Sequence, residues 1–170
     1  MLETLLRERI LILDGAMGTN IQSYNLTEDD YRGELFKGST IDITGNNEVL
    51  SITRPDVIKD IHRKFLEAGA DIIEANTFSA NKISQAEYGL EDNVKDLNRA
   101  SVRIAKEVVK EYSTLDKPRF VAGSIGPTGK TASISPSVEN PSYRNITFDD
   151  LVEAYSEQVE VLADEGVDAF

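Results

Sequence analysis

Hydrophobic and polar positions along the chain alternate between short apolar runs and longer stretches with helical periodicity. The clearest short run is Gly69 to Phe78, which follows a helix pattern directly and ends in amide, hydroxyl and aromatic side chains. Such a run is typical of a buried parallel strand. Because side chains alternate across a strand, we expect Ile73 and Ala75 to face packed helices, and Glu74 and Asn76 to share the other face.

Three further strands are predicted on similar grounds, at residues 10–13, 119–124 and 167–170. Helices are predicted at 2–8, 53–69, 81–89, 91–112 and 147–166, and Thr27 with Asp30 could cap one helical turn. Thr53 is the expected N-cap of the second helix, whereas Thr147 and Asp150 have capping-box spacing at the start of the last. Strands and helices therefore alternate along the chain.

One short device occurs twice, in Gly69-Ala70-Asp71 and in Gly166-Val167-Asp168. Each consists of a helix stop, one residue, an aspartate and a strand. Loops after the helices are short, while loops after the strands are long and polar. This asymmetry predicts an α/β fold of the TIM-type (β/α)8 barrel class, with a doubly wound sheet as the alternative. About four βα units are half of a barrel, so we expect residues 1–170 to be the N-terminal half of a barrel domain, truncated within strand four.

Composition narrows the function classes. The 170 residues, with 40% hydrophobic content, suffice for one domain, and the net charge of -12 argues against nucleic acid and anionic membranes. The sequence shows neither a signal peptide nor a membrane span, so we expect a cytoplasmic protein. The count of zero cysteines leaves no thiol nucleophile or thiolate metal site, and His62, the single histidine, is expected at a surface or boundary position.

The segment from Gly123 to Thr131 follows a predicted strand and looks like a phosphate-binding P-loop. It departs from that motif at Ser124, where the motif requires glycine, and Pro127 removes a backbone amide donor. The residues that follow are rich in serine and proline rather than helical. We therefore do not predict nucleotide binding.

Polar residues cluster after the first three predicted strands, where α/β proteins bind ligands. The candidate substrate-binding residues are Asp14, Gly15, Glu74, Asn76, Thr77, Ser124 and Gly126. Carboxylates suit an ammonium group, while glycine amides and hydroxyls suit a carboxylate, so the set would suit a zwitterionic amino acid. The alternative is structural, with Asp14 and Ser124 capping loops and Glu74 pairing with an arginine of a neighbouring strand. No nucleophile or general base stands out.

Five segments carry a family resemblance: Leu13 to Thr19, Gly45 to Ser51, Gly69 to Phe78, Ala122 to Pro127, and Tyr143 to Phe148. In order and spacing they resemble the amino-terminal homocysteine-binding barrel of cobalamin-dependent methionine synthase. The resemblance implies methyl transfer from methylcobalamin, recharged by 5-methyltetrahydrofolate, to homocysteine, giving methionine. It also implies folate and cobalamin domains as partners, and a zinc ion, held by three cysteines, that keeps the homocysteine thiol deprotonated.

By this resemblance Asp14, Gly15 and Thr77 would lie near the polar end of homocysteine, with Glu74, Asn76 and Ser124 lining the same opening. Ala75 stands where the resemblance leads us to expect threonine. The zinc cysteines, and a strand-four glutamate that would hold the substrate amine, are expected beyond Phe170. We therefore expect the 170 residues alone to be inactive, to bind no cofactor and to self-associate.

Two other readings of the function stay open. One is a cobalamin-independent homocysteine S-methyltransferase that takes its methyl group from betaine or S-methylmethionine. The other is a noncatalytic small-molecule-binding or assembly module. A folate-binding barrel and a cobalamin domain encoded downstream would favour methionine synthase over the first of these.

Overall fold

The computed structural model describes residues 1–170 and shows a mixed α/β fold. The α-helices are α1 (Leu2–Glu8), α2 (Met17–Gln22), α3 (Glu28–Arg32), α4 (Leu50–Thr53), α5 (Pro55–Ala68), α6 (Lys82–Gln85), α7 (Val94–Tyr112) and α8 (Phe148–Asp164). Short 3-10 helices span Asn47–Val49, Ala86–Tyr88 and Glu91–Asn93. None of the helices combines the length and the apolar composition that crossing a membrane requires.

The sheet consists of two parallel strands, β1 (Ile72–Glu74) and β2 (Phe120–Ala122). The register pairs Ile72 with Phe120, Ile73 with Val121, and Glu74 with Ala122. Parallel neighbours need a crossover connection, and here the long helix α7 provides it. The carboxyl ends of both strands therefore lie at the same edge of the sheet.

The prediction of four strands was wrong in its count. The segments predicted as the first and fourth strands join the sheet through single parallel bridges, Leu13 with Ile72 and Ala122 with Ala169. Each segment has a sheet neighbour on one side only, and Ile10 is 83% exposed, so little packing holds a longer ladder. The spatial order of the four segments nevertheless equals their order in the chain. A barrel requires this order, whereas a doubly wound sheet reverses it.

The repeated Gly-x-Asp device has a physical role in both places. The Asp71 carboxylate accepts a hydrogen bond from the Ile12 amide at 2.9 Å, and the Asp168 carboxylate accepts one from the Val121 amide at 2.9 Å. Each aspartate thus binds the backbone of the preceding segment of the sheet. Gly69 precedes the first of them with φ +113°, a left-handed conformation that favours glycine at a helix end.

The predicted helices are present, with one difference at the start of α5. Thr53 belongs to α4, where its hydroxyl donates to the Val49 carbonyl at 3.3 Å, so the prediction that it caps α5 was wrong. The helix α5 begins at Pro55, whose missing amide donor costs nothing in the first turn. At α8 the capping box of Thr147 and Asp150 is confirmed.

The core consists of two clusters, one around α5 and α7 and one beneath the sheet. Ile73 and Ala75 lie in the second cluster, which confirms the predicted helix-facing side of β1. The expectation for His62 was wrong, because its side chain is 0% exposed. It lies one residue after Ile61 and four after Ile58, on the buried face of α5, and burial lowers its pKa to about 4.

Candidate functional site

A cavity of about 470 Å³ opens at the carboxyl end of the sheet. Five of the seven predicted site residues line it, from the ends of three successive segments: Asp14, Gly15, Glu74, Asn76 and Ser124. Parallel strands with short helix-to-strand loops deliver these polar ends to one edge, as the sequence predicted. We call this space the site cavity.

The other two predicted residues lie behind its wall. Thr77 is fully buried, and its hydroxyl donates to the Ser124 carbonyl at 2.8 Å and accepts from the Ser124 amide at 3.1 Å. The Gly126 amide donates to the Phe78 carbonyl at 2.8 Å, and a Cβ at position 126 would lie 2.6 Å from that oxygen. Both residues therefore hold the residues that line the cavity.

Asp14, Glu74 and Ser124 form a connected polar group on the cavity wall. The Asp14 carboxylate accepts from the Glu74 amide at 2.9 Å, and the Ser124 hydroxyl donates to the Glu74 carboxylate at 3.0 Å. Burial, together with the negative charge of Glu74, raises the pKa of Asp14 to about 7, although the Glu74 amide opposes this shift. The lining contains no lysine or arginine, so the arginine partner considered for Glu74 is not found there.

Asn76 has a second, structural task. Its Nδ2 donates to the Asn47 carbonyl at 2.7 Å and to the Ser51 hydroxyl at 3.2 Å. Ser101 of α7 lies 2.7 Å from the Ser51 hydroxyl and 3.0 Å from the Asn76 carbonyl. This buried network fastens the segment around Asn47 to the end of β1, and so fixes one side of the site cavity.

Sequence reasoning missed four other side chains that line the cavity, those of Glu48, Phe78, Glu87 and Tyr88. Glu48 is 6% exposed, its Oε1 accepts from the Ser79 amide at 2.9 Å, and burial raises its pKa. These residues lie on 3-10 helices and loops, so the rule that sites follow strand ends could not identify them. The signal in the sequence is that Glu48 lies within the Gly45 to Ser51 segment, one of the five that carry the family resemblance.

The site cavity therefore carries four carboxylates, from Asp14, Glu48, Glu74 and Glu87, and no basic side chain. Such a lining favours a ligand with a cationic group. It does not fit a zinc ion held by thiolates, because the sequence has no cysteine and no three His, Asp or Glu side chains are grouped to hold a metal.

Comparison with known proteins identifies similar sequences and folds. A model of the homocysteine S-methyltransferase family matches residues 11–170. The oxidized form of the homocysteine methyltransferase MmuM from Escherichia coli is 25% identical with a TM-score of 0.70, and the match covers 98% of this chain and 54% of that one. Its metallated form matches with the same identity and TM-score, and 55% of that chain is covered. The chain thus spans about half the length of these structures.

Proposed function

The chain belongs to the homocysteine S-methyltransferase family, and on that premise we propose that its site cavity binds the amino-acid end of homocysteine in a methyltransferase that forms methionine. The observation that carries the proposal is the meeting of Asp14, Glu74 and Ser124, from three successive segments, in one cavity. The whole domain would be a TIM-type barrel of eight strands, to which residues 1–170 contribute the first four βα units.

The proposed task of this chain is to hold and orient the substrate. The ammonium group of homocysteine binds between the Asp14 and Glu74 carboxylates, where no basic side chain competes for them. The Ser124 hydroxyl donates to the Glu74 carboxylate at 3.0 Å and so restricts its orientation. Gly15 and Asn76 complete the lining on the side of the substrate carboxylate. A substrate held in this way presents its sulfur in a fixed position.

In the proposed reaction the homocysteine sulfur attacks the methyl carbon of the donor. The S–C bond forms, the bond between the methyl group and the donor breaks, and the thiol proton leaves to solvent. The donor we propose is methylcobalamin. We propose that it is recharged by 5-methyltetrahydrofolate in folate and cobalamin domains of a longer protein that contains these residues, which we call the natural protein. The ordered resemblance of the five sequence segments supports this choice. Zinc, where the natural protein uses it, would be held by cysteines outside these residues.

A second candidate donor is a small onium compound, betaine or S-methylmethionine. The carboxylates of Glu48 and Glu87 and the rings of Phe78 and Tyr88 also line the site cavity. Carboxylates and aromatic faces are the groups that bind quaternary ammonium and sulfonium ions. Turnover of the natural protein with each donor in turn decides between the two candidates. Binding of homocysteine without turnover of any donor would favour a noncatalytic binding module.

The substitution Asp14→Asn tests the site. It removes one of the two proposed ammonium partners but keeps the carbonyl oxygen that accepts from the Glu74 amide. We expect the homocysteine Kd, measured by calorimetry on the natural protein, to rise by about tenfold or more while the metal content stays the same. Asp149→Asn, which changes an exposed carboxylate in the first turn of α8, should leave the Kd unchanged. Equal affinity of wild type and Asp14→Asn would remove Asp14 from the site.

A further inference from the structure

One buried residue of α8 breaks the apolar pattern of its helix. The buried positions of this helix are Ala154, Gln158, Val161 and Leu162. Their spacing of three and four residues defines the face that packs on the sheet, so the pattern calls for an apolar side chain at position 158. Gln158 is instead a glutamine with 0% exposure. Burial of an amide side chain costs free energy unless the amide forms hydrogen bonds inside the protein.

The contacts of Gln158 lead toward the site cavity. Its Nε2 donates to the Thr77 carbonyl at 2.7 Å and lies 3.5 Å from the Ser124 carbonyl. Thr77 and Ser124 follow the neighbouring strands β1 and β2, and the Thr77 hydroxyl joins them directly. One amide group on α8 therefore holds the carboxyl ends of both strands.

The chain of contacts continues into the cavity. Ser124, fixed by Thr77 on its backbone side, donates its hydroxyl to the Glu74 carboxylate at 3.0 Å. Glu74 and Ser124 both line the site cavity, whereas Gln158 and Thr77 do not. The path thus runs from a helix outside the cavity to a carboxylate that faces into it.

We infer that Gln158 is a positioning residue of the site cavity, which acts through Thr77 and Ser124 to orient the Glu74 carboxylate. As a statement about homocysteine, the inference rests on the proposed function. The Oε1 atom of Gln158 has no hydrogen-bond partner, so the side chain contributes only its donor group.

The test compares Gln158→Met with Val161→Ala in the natural protein. Methionine keeps the length of the side chain but removes the donor, whereas Val161→Ala removes buried volume from the same helix without touching the path. Amide hydrogen exchange at Ser124 and homocysteine affinity are measured in both variants. We expect Gln158→Met to speed amide exchange at Ser124 by about tenfold more than at the amides of β2, and to raise the homocysteine Kd by about tenfold.

Val161→Ala should change exchange at these sites uniformly and leave the Kd near the wild-type value. Equal exchange patterns in the two variants would overturn the inference. Failure of the wild-type protein to bind homocysteine would instead overturn the proposed function, while the exchange rates still decide whether Gln158 positions Ser124. Should Gln158→Met not fold, Gln158→Leu, which also lacks the donor to the Thr77 carbonyl, must give the same local signature. Thr77→Val, which removes the hydroxyl that joins Thr77 to Ser124, must give it too, and Thr77→Ser, which keeps the hydroxyl, must not.

Discussion

Asp14 is a partly exposed carboxylate whose pKa the fold raises from 3.8 to about 7. The folded state therefore binds more protons than the unfolded state between these pH values, and stability falls as the pH rises through this window. We expect Asp14→Asn to remove this pH-dependent loss of folding stability, because asparagine does not titrate. The free energy of unfolding of the variant, relative to wild type, should increase by about 1–3 kcal/mol between pH 4 and pH 8.

Urea denaturation of both proteins at several pH values measures this difference. Asp149→Asn is the control, because the Asp149 side chain is exposed at the start of α8. A relative stability of Asp14→Asn that stays constant from pH 4 to pH 8 would show that Asp14 is not desolvated in the folded protein.

Gly126 is a position where the absence of a side chain is itself required. A Cβ there would lie 2.6 Å from the Phe78 carbonyl oxygen and 2.7 Å from the Phe78 ring. We expect Gly126→Ala to lower the free energy of unfolding by about 1–3 kcal/mol, because the rim of the site cavity must move. Gly38→Ala, where a Cβ would meet no atom within 4 Å, is the matched control. Thermal unfolding that shifts equally in both variants would contradict the close packing.

At this scale five of the 19 residues that line the site cavity are ones that the sequence singled out. Asp14, Glu74 and Ser124 could be found because each follows a strand that is recognisable in the sequence, and ligand sites lie at the carboxyl ends of such strands. Glu48 could not be found in that way, since it reaches the cavity from a 3-10 helix that depends on the buried Asn76 network. The burial of His62 was missed because the residue was taken to flank the apolar stripe of α5, whereas in the structure it belongs to the buried face of that helix.

Among the elements, α5 carries a buried histidine, His62, that makes the stability of the fold sensitive to acid. Burial lowers the pKa of His62 from 6.5 to about 4, and neither ring nitrogen has a hydrogen-bond partner. The unfolded state therefore binds more protons between these values, so stability is lost as the pH falls from 6.5 toward 4. We expect His62→Leu to reduce the stability lost between pH 7 and pH 4.5 by about 2 kcal/mol.

Chemical denaturation of wild type and His62→Leu at both pH values provides the measurement. Carboxylates that titrate in the same range are common to the two proteins, so the difference between them isolates the histidine. Parallel pH profiles would mean that His62 is accessible to protons in the folded state.

Elements differed in how far the sequence could predict them. The long helices α5, α7 and α8 carry enough turns for their apolar stripes to be read, and their existence was predicted correctly. The helix α2 has six residues, too few for a stripe, and was missed. The outer strands failed for another reason: residues 10–13 have strand composition, but they lie at the edge of the sheet, where only one neighbour holds them.

At the scale of the whole molecule, the two outer segments leave apolar surface uncovered. Ile10 is 83% exposed, Ile12 is 55% exposed and Phe170 is 63% exposed. Each outer segment has a sheet neighbour on one side only, so the backbone groups on its other side have no partner strand. Exposed edges of this kind pair with other chains. We therefore expect the 170-residue chain, prepared alone, to form dimers or larger species.

Light scattering over a range of protein concentrations tests this expectation, and a variant assigns the surface. Ile12→Lys places a charge on the edge of the first segment, where it should favour the monomer, because edge charges oppose strand pairing. Leu115→Lys is the control, since Leu115 is fully exposed after α7 and far from the sheet edges in sequence. A monomeric wild-type chain at every concentration would refute the expectation. Association that Ile12→Lys leaves unchanged would instead assign it to another surface, such as the exposed Phe148 side of α8.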